Sequence, residues 1–276
     1  MKKKAIVDDF ESDVTTQPGH KTVKEKVSSL YTYLVGSNED KLIQAVFDGN
    51  QSRVMELIDK GADQCVIDKD GNTLVHVAVK GRQGDMFGLL ANLGMDVNCV
   101  NEDGVTPLIY AIQLGFDDVV TELLRIKGID VNHRDHSGRT ALHHCAICGN
   151  ATVADILLEN GIGIDHTDVT NNTALHLCCE RDTFNVAKVL LRWNACLFHK
   201  NQHGFTPLGT AVNNRNRNMI KLMTAAMKGT DHPDFDKNID KMMDLTHDLD
   251  YYKKVLNTMP VHFTKDKNDF EDVRQA

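Results

Sequence analysis

Histidine and cysteine residues crowd the middle of the sequence at spacings that could hold a metal ion. Six of them fall within sixteen residues: His133, His136, His143, His144, Cys145 and Cys148. Zn²⁺ is usually bound by four nitrogen and sulfur ligands, and small zinc domains draw them from paired spacings of this kind. A second thiol pair, Cys178-Cys179, raises the question of redox chemistry. Whether the zinc-site or the redox hypothesis holds depends on the helices and loops that position these side chains.

Other signatures of catalysis are absent from the sequence. It contains no glycine-rich phosphate loop, no nucleophile elbow and no kinase motif set. Carboxylates are plentiful, but we find no pair that would be aimed at one point for acid–base catalysis. The sequence therefore predicts that the protein is not an enzyme, with no catalytic residue and no cofactor.

The histidine-rich stretch is predicted to fold as two short helices separated by turns. Residues 135–138 offer a polar bend, and Thr140 is placed to accept an unpaired backbone N–H of the helix that follows. The apolar runs 141–147 and 153–158 each stop at a glycine, which is typical of helix C-termini. Two helices of this length expose too much apolar surface to be stable alone, so the pair needs similar neighbours.

Such neighbours recur along the chain at a fixed period. The capping threonines follow one another at steps of 33, 34, 33 and 33 residues: Thr73, Thr106, Thr140, Thr173 and Thr206. One step earlier, Asp40 takes the threonine position. A period in this range indicates an array of stacked repeats.

The motifs around these threonines resemble the ankyrin-repeat family, whose signature is Thr-Pro-Leu-His-x-Ala. Thr106-Pro107-Leu108 keeps the proline of the signature, and Leu142-His143 keeps its histidine. The resemblance covers residues 37–230. It implies an all-α fold, an ankyrin-repeat solenoid of stacked helix-turn-helix pairs with β-hairpin-like loops.

The repeat register argues against the metal site. In the family, the position of His143 holds a hydrogen-bonding residue that ties helix to hairpin, and Cys145 occupies a small buried position. His133 and His136 would lie in the hairpin, away from these two. Cys178-Cys179 also falls at small buried positions. We therefore expect no metal ligands here, with a structural zinc site as the alternative.

Composition and charge narrow the possible partners and compartments. Hydrophobic residues make up 41% and charged residues 25% of the 276 residues, and no apolar run approaches the roughly 18 residues of a membrane span. The formal net charge of −8 argues against nucleic acid and anionic membranes as partners. Seven cysteines without framework spacing favour a reducing compartment. We expect a monomer in the cytoplasm, the nucleus or both.

The segments that flank the repeats carry separate predictions. Residues 1–21 are polar and are predicted to be a disordered tail. Residues 22–36 carry a capping-box pattern and predict a helix that either shields the first repeat or docks a partner. Residues 231–260 are predicted to form capping helices, and residues 261–276 a polar tail.

In a stacked array, one row of helix positions and one row of hairpin tips have no packing role. The resemblance implies that these rows form a concave groove through which ankyrin domains hold protein partners. The predicted partner-binding residues are Val105, Tyr110, Leu114, His144, Ile147, Leu177, Arg181 and Phe205. Apolar groups exposed together usually mark a contact site. The alternative is that these side chains are scattered singly or are buried by neighbours.

Two asparagines suggest a modification. Asn98 and Asn132 each end an Asp-Val-Asn sequence with a leucine eight residues earlier. This pattern resembles the ankyrin hairpin loops that the oxygen-sensing asparaginyl hydroxylase modifies, so both are possible hydroxylation sites. The alternative is that each asparagine forms turn hydrogen bonds.

Taken together, these patterns predict a non-enzymatic protein–protein interaction module, an adaptor or scaffold that binds a protein partner in the groove. One alternative is an inhibitor that masks a basic segment of a transcription factor. The other is a purely structural spacer that binds nothing.

Overall fold

The computed structural model describes residues 36–228. In this part of the chain twelve α-helices follow one another in six pairs: α1 (Asn38–Phe47), α2 (Gln51–Asp59), α3 (Leu74–Lys80), α4 (Gly84–Asn92), α5 (Pro107–Leu114), α6 (Asp117–Leu124), α7 (Ala141–Cys148), α8 (Ala151–Glu159), α9 (Ala174–Arg181), α10 (Phe184–Arg192), α11 (Pro207–Asn213) and α12 (Arg217–Lys228). Isolated antiparallel bridges join Ile67 to Thr73 and Thr167 to Thr173 in the hairpin loops. The predicted all-α solenoid of helix-turn-helix pairs is confirmed.

The predictions for the flanking segments concern positions outside the described residues. They cover residues 1–21, 22–36 (of which the structure describes position 36 alone), 231–260 and 261–276. Among the helices of residues 36–228, none has the length and apolar character needed to cross a membrane.

The periodic threonines are the N-caps of α3, α5, α7, α9 and α11, as their spacing predicts. Thr106 Oγ1 accepts the N–H of Ile109 at 3.4 Å, and Thr206 Oγ1 accepts the N–H of Gly209 at 3.3 Å. In both repeats a proline follows, at the first helical position, where its missing N–H costs nothing. Local chemistry therefore sets where these helices begin.

The first repeat departs from the period. Its first helix begins at Asn38, and Ser37 rather than Asp40 is the N-cap. Ser37 Oγ accepts the N–H of Asp40 at 3.1 Å, and Asp40 Oδ2 accepts the N–H of Ser37 at 3.0 Å. The prediction that Asp40 takes the capping position is wrong, because this reciprocal capping box satisfies two N–H groups at once.

The helices stack in two layers, with the first helices of the pairs on one side and the second helices on the other. Close approach between the first helices depends on one small, fully buried residue in each repeat: Ala45, Ala78, Ala111, Cys145, Cys178 and Ala211. Larger aliphatic and aromatic side chains, such as Phe87, Leu123 and Leu157, fill the space between the layers. Because each repeat buries its apolar surface against its neighbours, the array is one continuous core.

Histidines tie each of three repeats to the next hairpin. His143 Nδ1 accepts the N–H of Thr140 at 3.1 Å, and His143 Nε2 lies 3.1 Å from the carbonyl oxygen of Asn172. His176 bonds the N–H of Thr173 at 3.2 Å and the next hairpin at 3.0 Å in the same way. A backbone N–H can only donate, so Nδ1 is unprotonated and the Nε2–H donates to the carbonyl. Burial lowers the pKa of His143 and of His176 to about 4, which keeps both rings neutral.

Candidate functional site

The histidines and cysteines that suggest a metal site from sequence have separate environments. His133 hydrogen-bonds a backbone carbonyl of the preceding hairpin at 3.0 Å, and His144 Nε2 lies 2.8 Å from Asp135 Oδ2. Cys145 is fully buried, whereas Cys148 faces solvent. Within residues 36–228 no group of three or more His, Cys, Asp or Glu side chains is arranged to hold a metal ion.

The adjacent cysteines of repeat five are core residues. Cys178 and Cys179 are 0% exposed, and burial raises the pKa of the Cys178 thiol to about 12. Burial also raises the pKa of Cys179 well above its usual range. Since the thiolate is the reactive form of cysteine, these buried thiols are suited to packing rather than to redox chemistry.

The concave groove is defined by the first helices on one side and the hairpin tips on the other. Lys80, at the end of α3, places its Nζ 2.9 Å from Oδ2 of Asp70 at the tip of the hairpin before it. This ion pair shows that the two rows of the same repeat face each other closely. A ligand in the groove would therefore touch helix and hairpin together.

Five of the eight predicted partner-binding residues are accessible in this groove. Leu114 is exposed (39%), and Tyr110 and Ile147 are half-buried on the neighbouring first helices α5 and α7. Arg181 is exposed at the end of α9, and Phe205 is half-buried in the hairpin before α11. The apolar part of the groove thus lies on repeats three and four.

The other three predicted residues are buried, so their predicted exposure is wrong. Val105 is 4%, Leu177 is 3% and His144 is 6% exposed. The carbonyl oxygen of Val105 accepts a hydrogen bond from His76 Nε2 at 2.9 Å, which draws this hairpin onto the preceding repeat. Leu177 and Tyr110 occupy equivalent positions in their repeats, four residues after the capping threonine. The shorter Leu177 side chain is covered there, whereas the longer Tyr110 side chain reaches solvent.

His144 belongs to a polar network under the groove rather than to its surface. Its Nε2 faces the Asp135 carboxylate, and Gln113 Nε2 lies 3.4 Å from its Nδ1. Burial lowers the pKa of His144, and the Asp135 carboxylate partly opposes that shift. Sequence reasoning missed this network, because Gln113 and Asp135 carry no motif of their own.

The two asparagines of the Asp-Val-Asn sequences connect adjacent loops. Asn98 Oδ1 accepts the N–H of Asp130 at 2.8 Å, and Asn132 Oδ1 accepts the N–H of Gly163 at 2.8 Å. One repeat further on, Asp165 Oδ1 accepts the N–H of Cys196 at 2.8 Å. An aspartate accepts the equivalent N–H, so that hydrogen bond needs only an acceptor oxygen. At Asn98 the amide also donates its Nδ2–H to the carbonyl oxygen of Gly128 at 2.7 Å. Hydroxylation of Asn98 and Asn132 stays a prediction.

Comparison with known proteins assigns the repeats. A family model described as ankyrin repeats (3 copies) matches residues 42–135 and 163–236. The chain belongs to the ankyrin-repeat family. A second model, ankyrin repeats (many copies), matches residues 123–178 and so bridges the gap between the two matched segments. Ankyrin repeats generally mediate protein–protein interaction, and stacked repeats create the extended concave surfaces that such proteins use.

Curated relatives include Notch proteins. The chain is 37% identical to Neurogenic locus notch homolog protein 1 of Xenopus laevis over 101 residues, which is 36% of this chain and 4% of that protein. It is 38% identical to Neurogenic locus notch homolog protein 2 of Homo sapiens over 95 residues (34% of this chain, 4% of that protein). It is 32% identical to Neurogenic locus notch homolog protein 1 of Mus musculus over 128 residues (46% and 5%). The matches therefore span 4–5% of the length of these relatives.

Proposed function

We propose that this ankyrin-repeat protein is a non-enzymatic adaptor or scaffold that binds a protein partner in its concave groove. The observation that carries the proposal is the accessible apolar surface of Tyr110, Leu114 and Ile147 on adjacent first helices. Tyrosine is a common anchor of protein interfaces, and apolar side chains exposed together usually mark a contact site. Arg181 and Phe205 extend the same groove toward the last repeat.

Compartment and assembly are part of the proposal. All seven cysteines are free thiols, which supports a reducing compartment, so we place the protein in the cytoplasm, the nucleus or both. We propose a monomer, because the exposed large apolar side chains of residues 36–228 are distributed over several repeats. Sedimentation of the full chain at micromolar concentration tests the monomer, and fractionation of cells tests the compartment.

Affinity purification with matched variants tests the binding function. Leu114→Ala, alone and combined with Tyr110→Ala, removes apolar groups from the groove. Met55→Ala is the control, because Met55 lies on the outer helix α2 with the same 39% exposure as Leu114. Partners that bind the groove should be depleted with the first variants and retained with the control. Truncating an anchor costs about 1–3 kcal/mol of binding free energy, which is roughly 5- to 150-fold in affinity.

Thermal unfolding of each variant, followed by the helical circular dichroism signal, separates loss of binding from loss of folding. If all partners are recovered equally with Tyr110→Ala/Leu114→Ala and with the unmodified chain, the groove is not the binding site. A chain that captures nothing above background in either form is the structural spacer.

A further inference from the structure

The Lys80–Asp70 ion pair of repeat two shows which kind of charged group fits between helix and hairpin in the groove. Lys80 and Asp70 meet at 2.9 Å across it, and both side chains are partly exposed to solvent. The hydrogen bond between them raises the pKa of Lys80 and lowers that of Asp70. A cation at the end of a first helix therefore fits against a carboxylate at the tip of the hairpin in the same repeat.

Repeat three has the carboxylate without the cation. One period of 33 residues further on, Asp103 stands in the place of Asp70 and Gln113 in the place of Lys80. Gln113 directs its amide nitrogen toward His144 Nδ1 at 3.4 Å. Asp103 is exposed, and none of the ion pairs found in residues 36–228 uses it.

A second carboxylate stands beside the first. Glu102 is also exposed and also takes part in none of the ion pairs of the described residues. Its side chain lies over Gly71 of the preceding hairpin, where an added Cβ would be 2.5 Å from Glu102 Cγ. In the preceding repeat, Lys80 is paired with Asp70, and Lys69 also acts on Asp70.

The apolar part of the groove adjoins these carboxylates. Tyr110 and Leu114 lie on α5, the helix that directly follows the hairpin of Glu102 and Asp103. The Tyr110 ring packs edge-on against the His76 ring at 5.7 Å between centroids, which limits its movement. A long side chain with an aliphatic stem and a charged end matches this combination of surfaces.

Resting on the function proposed above, we propose that repeat three binds a lysine or arginine of the partner, next to a large apolar residue of the same segment. The aliphatic stem lies on Tyr110 and Leu114, and the charged end lies against Asp103, in the place that Lys80 fills against Asp70 in repeat two, while Glu102 adds negative charge from the same hairpin. The apolar neighbour contacts Ile147 in repeat four.

The later repeats do not offer this arrangement, so the basic residue is placed in one register. The positions equivalent to Asp103 are Ser137, Thr170 and His203, and none of them is a carboxylate. In repeat five the helix position is Glu180, which lies beside Arg181 at 3.8 Å. A partner segment with its basic residue at repeat three therefore runs over mostly neutral tips beyond it.

Random peptides displayed on phage and selected against the full 276-residue chain test the proposal. Selected peptides should be enriched in Lys or Arg adjacent to Leu, Ile, Phe or Tyr. Gln113→Lys supplies the internal cation of repeat two and should weaken their binding about tenfold. Gln113→Glu loses the same amide but adds negative charge, so it should strengthen binding several-fold. Asn92→Lys, at the exposed end of the outer helix α4, adds the same charge outside the groove and should leave affinity unchanged.

The outcomes separate this proposal from the function on which it rests. Peptides that lose affinity with Tyr110→Ala/Leu114→Ala but bind Gln113→Lys and Gln113→Glu equally would overturn the cation site and leave the groove in place. Acidic selected peptides would also overturn it. Selection of no peptide sensitive to either pair of variants would count against groove binding itself.

Discussion

Mild acid should loosen the array through its two buried histidine ties. The pKa of His143 and of His176 is about 4 in the folded protein, below the ordinary value of 6.5. Between these values the unfolded chain binds more protons than the folded one, so stability is fully present above about pH 6.5 and is lost as the pH falls toward 4. Protonation of Nδ1 also removes the acceptor for the backbone N–H of Thr140 or Thr173.

The expected size follows from these pKa values. Lowering the pH from about 7.5 to about 5.5 protonates about nine-tenths of each histidine in the unfolded chain and very little in the folded one. The cost is about 1–1.5 kcal/mol per histidine and about 2–3 kcal/mol for both together. Asp168 favours protonation of both rings, whereas His144 and Arg139 oppose it at His143 and His199 opposes it at His176.

Urea unfolding of the full chain across this pH range measures the loss, and NMR of the ring C–H groups measures each histidine directly. Both ring signals should stay at their neutral positions down to about pH 5. A ring that titrates near its ordinary value, or a midpoint that does not change between the two pH values, would refute the argument that burial keeps these histidines neutral.

Three further predictions follow from the loops and the second repeat. Gly81→Ala should lower the free energy of unfolding in urea by about 2 kcal/mol, because an added Cβ would lie 2.3 Å from a backbone oxygen of the preceding repeat. Gly88→Ala should raise it by up to about 1 kcal/mol, because a Cβ there meets nothing within 4 Å and alanine favours the helix α4. Equal effects of the two would contradict this reading. Asn98→Ala removes the acceptor for the next loop and should cost about 1 kcal/mol, measured as lost hydrogen-exchange protection there; unchanged protection would show the contact to be dispensable. If an asparaginyl hydroxylase modifies the chain, peptide mass spectrometry should find one added oxygen at Asn98 or Asn132, and Asn132, the more exposed of the two, should be modified first.

The positions of the helices were predictable because their signals are local. A capping threonine, a proline at the first helical position and a closing glycine act within one turn, so the period of the threonines placed five helix starts correctly. At the helix end of repeat five, Asp182 takes the left-handed conformation that Gly115 and Gly149 supply in repeats three and four, with φ of 60°. Where two local signals competed, as at Ser37 and Asp40, the period gave the wrong cap.

The groove was predictable in outline and less so in detail. Repeat register identified the row that holds Tyr110, Leu114 and Ile147. The register did not predict that Leu177 and Val105 are buried. Burial depends on the length of the side chain and on how closely the adjacent hairpin packs against it. The repeat register alone also did not predict a role for Asp103 and Gln113. The Lys80–Asp70 ion pair of the preceding repeat shows that these two positions face each other.

Sequence by itself determined that this protein is a stack of ankyrin repeats, since caps, turns and apolar period act between residues close in the chain. Tertiary structure alone decided which groove residues meet solvent and which charges remain unpaired. The reason is physical: exposure and ion pairing depend on distances between residues of adjacent repeats and of facing helix and hairpin, and those distances exist only once the helices have packed.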